Sequence, residues 1–432
     1  MKWFLRALVV IPIGALVGTF LIPMQSLVSN AELPEAVEVS VPARELEVVC
    51  PGALVELGGE DGTDVDSIEG IGDADFYLVR DSQPTPFRAD QPASFQADSD
   101  IQLSSELSGY MWQSVDRNRI SGTVTVSCKK PKTEAWLLAP TGTRLGSESL
   151  LVIHNPDVLS TILELGFYGD KQLPSDTLSL APGETKIVNL ARYAPNQSSV
   201  GISIKSQGGR FAAWVQSKTN SGTTATGADL VAHNQLQINP SMLVTVQGED
   251  VPEQDRLPEL FILSTEEADG TVSISSLEQG FGDALRVSLE AGVNQIELPA
   301  LQPGSYRVSV DVEQPVLLGS KTSNPLIGDY FTSLAEPSFE RDLTVVATID
   351  GELEIASVGE SLATLQQYRD GVLIDGQIAN LSGQERITAI VEVGDLIEIT
   401  GDSLLVRVGN QLTEYLPADN SNVGSDLRIT VR

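Results

Sequence analysis

The chain has 432 residues, of which 41% are hydrophobic, and its 27 basic and 59 acidic side chains give a formal net charge of -32. This length accommodates several domains of about 100–150 residues, and the apolar content allows each of them a buried core. The charge argues against nucleic acid and anionic lipid headgroups as partners, because the surface would repel both.

The chain begins with a positively charged and then apolar segment. Lys2 and Arg6 precede an apolar run that ends at Met24. Positive charge kept on the cytoplasmic side predicts export of the rest of the chain. The run exceeds a usual signal-peptide core and falls slightly short of the about 20 residues that span a bilayer. We expect residues 1–31 to form a single-pass membrane anchor with the C-terminal part extracellular; secretion after cleavage near Ala31 is the alternative.

The only two cysteines, Cys50 and Cys128, follow alternating apolar stretches, "LEVVC" and "TVTVSC". The alternation places each thiol at the end of an inward-facing stripe. An even cysteine count in an exported chain predicts a disulfide, which here closes a loop of about 80 residues and contributes about 4 kcal/mol in the chain-entropy model. Two buried free thiols and a metal pair are the alternatives, and a metal lacks a third soft ligand nearby.

Between the cysteines, residues 58–76 concentrate carboxylates among glycines. Asp61, Asp64, Asp66 and Glu69 are the candidate calcium ligands of this segment. The segment does not fit the EF-hand pattern, because counting from Asp64 puts an isoleucine at the fifth position and a glutamate where the loop needs glycine. An exposed acidic loop is the simpler interpretation, and an irregular calcium site is the alternative.

Beyond the apolar segment the sequence is a succession of alternating strands. Examples are "VGISIKS" (200–206), "LRVSLEA" (285–291) and "YRVSVDV" (306–312), with turn residues between such runs. This alternation predicts antiparallel sheets with one solvent-exposed face. The predicted fold is all-β: tandem antiparallel β-sandwich (Ig-like) modules after one N-terminal transmembrane or signal helix.

One strand–turn–strand pattern occurs twice. "LAPGETKIVNLA" (180–191) and "LEAGVNQIELPA" (289–300) share leucine, glycine and isoleucine at the same positions, and the strands around them follow the same order. A period above one hundred residues predicts duplicated whole domains rather than solenoid repeats, although two β-rich segments can also match by chance.

Segments that contain proline and charged residues suggest the module boundaries. The predicted organisation is a signal peptide or signal anchor at 1–31, a linker at 32–45, an N-terminal β module with the disulfide at 46–135, a β-sandwich module at 136–247, a linker at 248–258, a β-sandwich module repeating the previous one at 259–335, and a C-terminal β module at 336–432.

Few residues suggest catalysis. His154 lies in the turn signature "VIHNPD", His233 lies in "DLVAHNQ", and no G-x-S-x-G elbow occurs. We expect both histidines to be structural or solvated, and we predict no catalytic residue, no metal and no cofactor. Carboxylates suited to glycoside hydrolysis are indistinguishable among so many acids.

Three aromatic residues are candidates for glycan contact: Trp136, Trp214 and Tyr193. Sugar-binding sandwiches expose flat aromatic rings on one sheet face. Both tryptophans lie in apolar, strand-like runs, so packing in the core is the competing interpretation.

Short motifs from the N-terminal half together resemble a family of secreted or membrane-anchored actinobacterial envelope proteins classified as a domain of unknown function. The motifs are "CPG" (50–52), "CKKP" (128–131), "LLVIHNP" (150–156), "LAPGE" (180–184) and "AAWVQS" (212–217). The family is associated with envelope glycosyltransferases by gene neighbourhood, so the resemblance implies a role in the envelope and supplies no catalytic residues.

These observations predict a non-enzymatic, exported cell-envelope protein. It would serve as a scaffold or binding module for an envelope protein or glycan partner, held at the membrane through its N-terminal segment and without nucleic acid. A carbohydrate-binding module protein is the alternative function, and a carboxylate-based hydrolase is the third.

Overall fold

The computed structural model describes residues 37–41, 47–58, 68–80, 82–96, 107–278, 282–338, 342–382, 385–410, 413–417 and 427–431. They form antiparallel β-strands throughout, with short 3-10 turns at Leu190–Arg192 and Glu253–Asp255. No helix within these ranges is long and apolar enough to cross a membrane. The predicted N-terminal helix lies outside the described residues.

The chain divides into two compact units. One joins both ends of the chain, and its described strands, β1 (Val37–Val41) and β34 (Leu427–Val431), pair antiparallel. The other unit is Glu45–Asn422 and contains every remaining strand. The linker expected at residues 32–45 therefore contains a strand, and the final strand of the chain does not belong to the C-terminal module.

The first module of the larger unit consists of three small sheets, ordered β6-β5-β8-β9, β2-β7 and β3-β4. Its strands are β2 (Glu47–Cys50), β3 (Val55–Leu57), β4 (Ile68–Gly70), β5 (Ala74–Arg80), β6 (Gln83–Ala89), β7 (Ala93–Gln96), β8 (Leu107–Arg117) and β9 (Ile120–Ser127). Cys50, at the end of β2, forms a disulfide with Cys128, directly after β9.

Three eight-stranded sandwiches follow. The first contains β10 (Glu134–Ala139), β11 (Ser147–His154), β12 (Thr161–Tyr168), β13 (Gln172–Leu180), β14 (Thr185–Asn189), β15 (Val200–Gln207), β16 (Ala212–Ser221) and β17 (Thr224–Ala232). The second contains β18 (Ser241–Val246), β19 (Glu259–Ser264), β20 (Ala268–Ser276), β21 (Gly282–Leu289), β22 (Gly292–Ile296), β23 (Gly304–Val312), β24 (Leu317–Asn324) and β25 (Asp329–Leu334). The third contains β26 (Leu343–Val346), β27 (Gly351–Ser357), β28 (Glu360–Arg369), β29 (Val372–Ser382), β30 (Arg386–Val391), β31 (Leu396–Thr400), β32 (Leu404–Gly409) and β33 (Glu414–Tyr415).

All three sandwiches have the same strand order. One sheet runs first–sixth–third–fourth and the other runs fifth–second–seventh–eighth. The two similar sequence segments occupy the same place, since each carries the chain from the fourth strand across to the fifth strand in the opposite sheet. Gly183 (φ 68°) and Gly292 (φ 144°) adopt backbone angles there that favour glycine. The third copy has no comparable sequence signal and was not predicted as a repeat.

Another predicted boundary also differs from the structure. Residues 248–258, expected to be a linker between modules, connect β18 to β19 inside the second sandwich. β18 pairs with β23 of that sandwich, a strand more than fifty residues further along the chain. Alternation within "SMLVTV" shows that these residues form a strand, but it does not show which sheet the strand joins.

Alternation places the apolar side chains of each sandwich between its two sheets. On β12, for example, Leu163, Leu165 and Phe167 point into the core while Glu164 lies at the surface. The core of the first sandwich contains residues from both of its sheets, which therefore pack face to face.

The sequence predicts sheets with one solvent-exposed face. In the first module, however, the four-stranded sheet packs against other modules on both faces. Phe76 and Met111 lie in a core shared with Trp214 of the first sandwich. On the opposite face, Val79 and Tyr110 lie in the core of the third sandwich. The first module therefore contacts both the module that follows it and the last module.

The final strands of all four modules, β9, β17, β25 and β33, meet in a common interface that we call the hub. The Asp329 carboxylate on β25 accepts the backbone N–H of Thr123 on β9 at 2.8 Å and that of Ala228 on β17 at 3.3 Å. In return, the Asp229 carboxylate on β17 accepts the backbone N–H of Thr332 on β25 at 2.5 Å. The second sandwich thus accepts donors from the first module and the first sandwich, and the first sandwich accepts one from the second.

An ionic network extends from the hub onto the third sandwich. The Arg407 guanidinium donates to Glu354 at 2.8 Å and to Glu414 at 3.2 Å, and all three side chains are buried. Glu414 also accepts the Ser333 hydroxyl of the second sandwich at 2.7 Å. Removing one partner from such a network leaves a buried charge uncompensated, so the network favours one mutual placement of the modules.

We expect Gly109→Ala to destabilise the protein by about 1–3 kcal/mol, because it overpacks the disulfide. A Cβ atom at Gly109 would lie 2.7 Å from the Cys128 sulfur and 3.1 Å from the Cys50 sulfur. Gly70→Ala is the matched control, since a Cβ there meets nothing within 4 Å. Urea unfolding followed by tryptophan fluorescence measures both; equal midpoints for the two variants would contradict the prediction.

We expect the stability of the hub to fall as the pH rises. Burial raises the pKa of Asp229 to about 8 and that of Asp329 to about 6, from an ordinary value of 3.8. The folded state therefore holds protons that the unfolded state releases. The resulting stability is complete below about pH 4 and is lost as the pH rises through 6 and 8.

Asp229→Asn tests this dependence, because the amide resembles the protonated acid. Its urea midpoint should equal that of the wild type near pH 4 and exceed it near pH 9. Asp311→Asn, at an exposed site on β23, is the control for the loss of one surface charge. A wild-type-like pH profile for Asp229→Asn would contradict the assignment.

Candidate functional site: a preformed loop on the first sandwich

The connection between the second and third strands distinguishes the first sandwich from its two copies. It spans residues 155–160 in the first sandwich, 265–267 in the second and 358–359 in the third. Only the first copy carries two adjacent, strongly exposed apolar side chains in this connection, Val158 (88% exposed) and Leu159 (67%), among the described residues. We call this connection the 155–160 loop.

The side chain of Asn155 holds the loop in place through hydrogen bonds. Its side chain is fully buried, and its Nδ2 donates to the carbonyls of Leu159 at 2.8 Å and Ala181 at 2.9 Å. Its Oδ1 accepts the backbone N–H of Asp157 at 3.0 Å, which forms an Asx turn around Pro156. One buried amide therefore sets the path of the whole loop.

The backbone of Asn155 ties the loop to the neighbouring turn. Its N–H donates to the Glu184 carbonyl at 3.0 Å, and its carbonyl accepts the Gly183 N–H at 2.9 Å. The "LLVIHNP" and "LAPGE" motifs, separate in the sequence, thus form one hydrogen-bonded structure.

Asp157 fixes the other side of the loop. Its carboxylate accepts the Arg210 backbone N–H at 2.5 Å and the Arg210 guanidinium at 2.5 and 3.1 Å. Arg210 also pairs with Glu47 of the first module at 2.7 Å, and these three side chains are largely shielded from solvent. Charge-assisted, bidentate contacts of this kind are strong and directional. They hold the loop against both the sandwich and the first module.

The two histidines lie in structural positions. His154 Nδ1 is 2.9 Å from the Thr185 hydroxyl, and burial lowers the pKa of its imidazole. His233 is buried, its ring nitrogens contact the Ala213 backbone and the Lys130 carbonyl, and burial lowers its pKa to about 3. His233 therefore stays neutral and bound to the backbone at neutral pH.

The structure does not bring the three candidate glycan-contacting aromatics together. Trp214 is fully buried between the first module and the first sandwich. Trp136 is half-buried against Tyr168 at the boundary with the second sandwich. Tyr193 stacks on Phe167 at the edge of the first sandwich's own core. The rings therefore serve three different packing contacts.

Three of the four candidate calcium ligands, Asp61, Asp64 and Asp66, lie outside the described residues. Glu69 is exposed on β4, opposite Glu56 of β3. Within the described part of the chain, no group of three or more His, Cys, Asp or Glu side chains is arranged to hold a metal ion.

Sequence reasoning missed the roles of Asn155, Asp157 and Arg210. The signal was present in part, because "HNPD" is a turn signature. The partners Ala181 and Arg210 lie tens of residues away, however, and their approach depends on the completed sandwich.

We expect Asn155→Ala to destabilise the protein by about 1–3 kcal/mol, since it leaves buried carbonyl and N–H groups without their partner. Asn380→Ala, at an exposed position on β29, is the control and should stay close to the wild type. Urea unfolding gives the free energies. Limited proteolysis should show faster cleavage near residue 158 in Asn155→Ala alone; unchanged stability and cleavage would refute the role of this amide.

Comparisons with known proteins identify a family for the chain but indicate no activity. A family model described as "Family of unknown function (DUF5719)" matches residues 87–348, more than half of the chain. A search of the curated proteins finds no match.

Two solved structures show a distant similarity. Streptomyces avermitilis alpha-L-rhamnosidase complexed with L-rhamnose is 9% identical over 84% of this chain and 53% of that chain, with a TM-score of 0.14. Salmonella alpha-2-macroglobulin reacted with methylamine is 11% identical over 87% of this chain and 29% of that chain, with a TM-score of 0.11. The chain thus spans about half the length of the rhamnosidase, and similarities this low carry no argument about fold or function.

Proposed function

The chain belongs to DUF5719, a family of unknown function, and we propose that it is a non-enzymatic, exported cell-envelope protein that binds a protein partner through the 155–160 loop. The observation that carries the proposal is the combination of Val158 and Leu159, both exposed, with a backbone held by buried hydrogen bonds. Apolar anchors on preorganised loops bind well, because little conformational entropy is lost on association.

The charge of the chain favours a protein as the occupant. With a formal net charge of -32, the protein is repelled by anionic lipid headgroups. Next to the loop, the partly exposed Glu184 lies 3.7 Å from Lys186, and the Asp157 and Glu47 carboxylates share the Arg210 guanidinium, so these carboxylates outnumber the cations by one. We therefore expect a partner with an apolar pocket and a basic rim.

Two features support export to the envelope. The N-terminal Lys2 and Arg6 followed by an apolar run favour translocation of the rest of the chain. The Cys50–Cys128 disulfide is typical of oxidising compartments. We propose a retained membrane anchor with Glu45–Asn422 outside the membrane; cleavage near Ala31 is the alternative.

The two histidines and two buried aspartates of the hub support a non-enzymatic role. The His154 ring contacts the Thr185 hydroxyl, and the His233 ring contacts the Ala213 backbone and the Lys130 carbonyl. The carboxylates of Asp229 and Asp329, whose pKa values burial raises, accept backbone N–H groups that join modules. These groups are committed to structure and are poorly placed to meet a substrate.

We further propose that the sandwiches are Ig-like modules. Their second and fifth strands pair in one sheet and their third and sixth strands pair in the other, as the B–E and C–F strands do in the immunoglobulin fold. The first, fourth and seventh strands occupy sheets opposite to those of the A, D and G strands of the constant-type immunoglobulin fold.

Site-specific cross-linking tests the binding function. A photoreactive amino acid placed at Val158 of the full-length chain in its native membranes should cross-link one defined protein. The same probe at Leu145, which is fully exposed outside the loop, should not. Leu159→Asp should reduce the cross-link at least about tenfold, as expected for a buried anchor.

Leu145→Asp is the matched control and should leave the cross-link unchanged. Equal cross-linking from positions 158 and 145, or no effect of Leu159→Asp, would overturn the proposal. Cross-links to lipid instead of protein would assign the loop to the membrane surface.

A further inference from the structure

A second feature with binding character lies away from the 155–160 loop. A pocket of about 330 Å³ opens between the second and third sandwiches. The end of β18 and the segment after it form one wall, and β27 and β32 of the third sandwich form the other. Pockets of this size occupy the lower end of the range used for small ligands.

The lining is amphipathic. Phe331 and Val251, both largely buried, form the apolar part of the wall, whereas Gln247, Asn324 and Asn410 provide carboxamides. Local contacts orient some of these amides, since Gln247 Nε2 donates to the Ser323 carbonyl at 2.5 Å. Carboxamides beside a mostly apolar wall suit an uncharged ligand that carries several hydroxyl groups.

The charges of the lining disfavour an anion. Arg407 is the one basic residue of the described lining, and Glu354 and Glu414 both pair with its guanidinium. Asp250 and Glu352 add carboxylates to the lining. The pocket therefore lacks the uncompensated positive charge that a phosphate or carboxylate ligand requires.

Thr245 supplies an independent indication. It lines the pocket, and its buried Oγ1 finds no hydrogen-bond partner in the described part of the chain. A buried hydroxyl without a partner is unfavourable. Because Thr245 lines the pocket, a ligand hydroxyl bound there can supply the missing partner.

From this geometry we infer that the pocket binds a neutral sugar residue, with Thr245 and the amides on its hydroxyl groups. The site lies outside the aromatics that the sequence suggested for glycan contact. It is independent of the 155–160 loop, so either proposal stands or fails without the other.

Titration of the full-length protein with matched monosaccharides tests the inference. The probes are D-glucose, D-galactose and D-mannose, with D-glucuronate and D-glucosamine as the charged counterparts of glucose. Saturation-transfer NMR should show at least one neutral hexose binding with a millimolar dissociation constant, and glucuronate should not bind. The absence of binding by all three neutral hexoses up to about 50 mM would overturn the inference.

Thr245→Val separates binding from folding. Valine matches the shape of threonine and removes a hydroxyl that has no partner, so the variant should unfold at the same urea concentration as the wild type or a higher one. The sugar should bind about three- to tenfold more weakly, the loss expected for one hydrogen bond.

Thr271→Val, on β20 and outside the pocket lining, is the matched control and should bind like the wild type. Equal affinities for Thr245→Val and Thr271→Val would place the sugar elsewhere and overturn the assignment. Preference for glucosamine over glucose would do so as well, since it would identify a cation site.

Discussion

The buried polar groups of the hub are the constraint on which the rest of the larger unit depends. Asp229, Asp329 and Glu414 lie on final strands of three different sandwiches, and each accepts a hydrogen bond from another module. A buried acceptor or donor that loses its partner costs about 1–3 kcal/mol, and more if it is charged. Separating any one module therefore leaves several such groups unsatisfied. These contacts join the modules of Glu45–Asn422 into one compact unit.

Packing between modules also supports the 155–160 loop. Arg210 joins Asp157 in the loop to Glu47 in the first module, so the loop has supports from two modules at once. Trp214, in the same motif-bearing part of the chain, is buried in the core that also contains the disulfide. The motifs that carry the family resemblance are thus mainly structural. They hold Val158 and Leu159 in place, and the exposed apolar side chains of these two residues are available to a partner.

Because one strand order occurs three times, the three sandwiches can be compared with one another. Shared features, such as the crossover from the fourth to the fifth strand, belong to the fold, whereas departures from the shared pattern point to function. The longer second-to-third connection of the first sandwich is one departure. The pocket between the second and third sandwiches is another. Phe331 of the second sandwich and Arg407 of the third both line it because the two copies pack together. Sequence reasoning found His154 and the turn beside it but neither Arg210 nor Phe331, since their neighbours lie far away along the chain.

The sequence by itself determined what depends on local alternation. It predicted antiparallel strands, the position of Cys50 and Cys128 at the ends of inward-facing stripes, and the equivalence of residues 180–191 and 289–300. Tertiary structure decided which sheet each strand joins and which faces become buried. β18 belongs to the second sandwich. The four-stranded sheet of the first module is buried on both faces, by the first sandwich and by the third. A period of two residues identifies the two faces of a strand. Whether a face meets water or another module depends on long-range packing, and no short stretch of sequence encodes it.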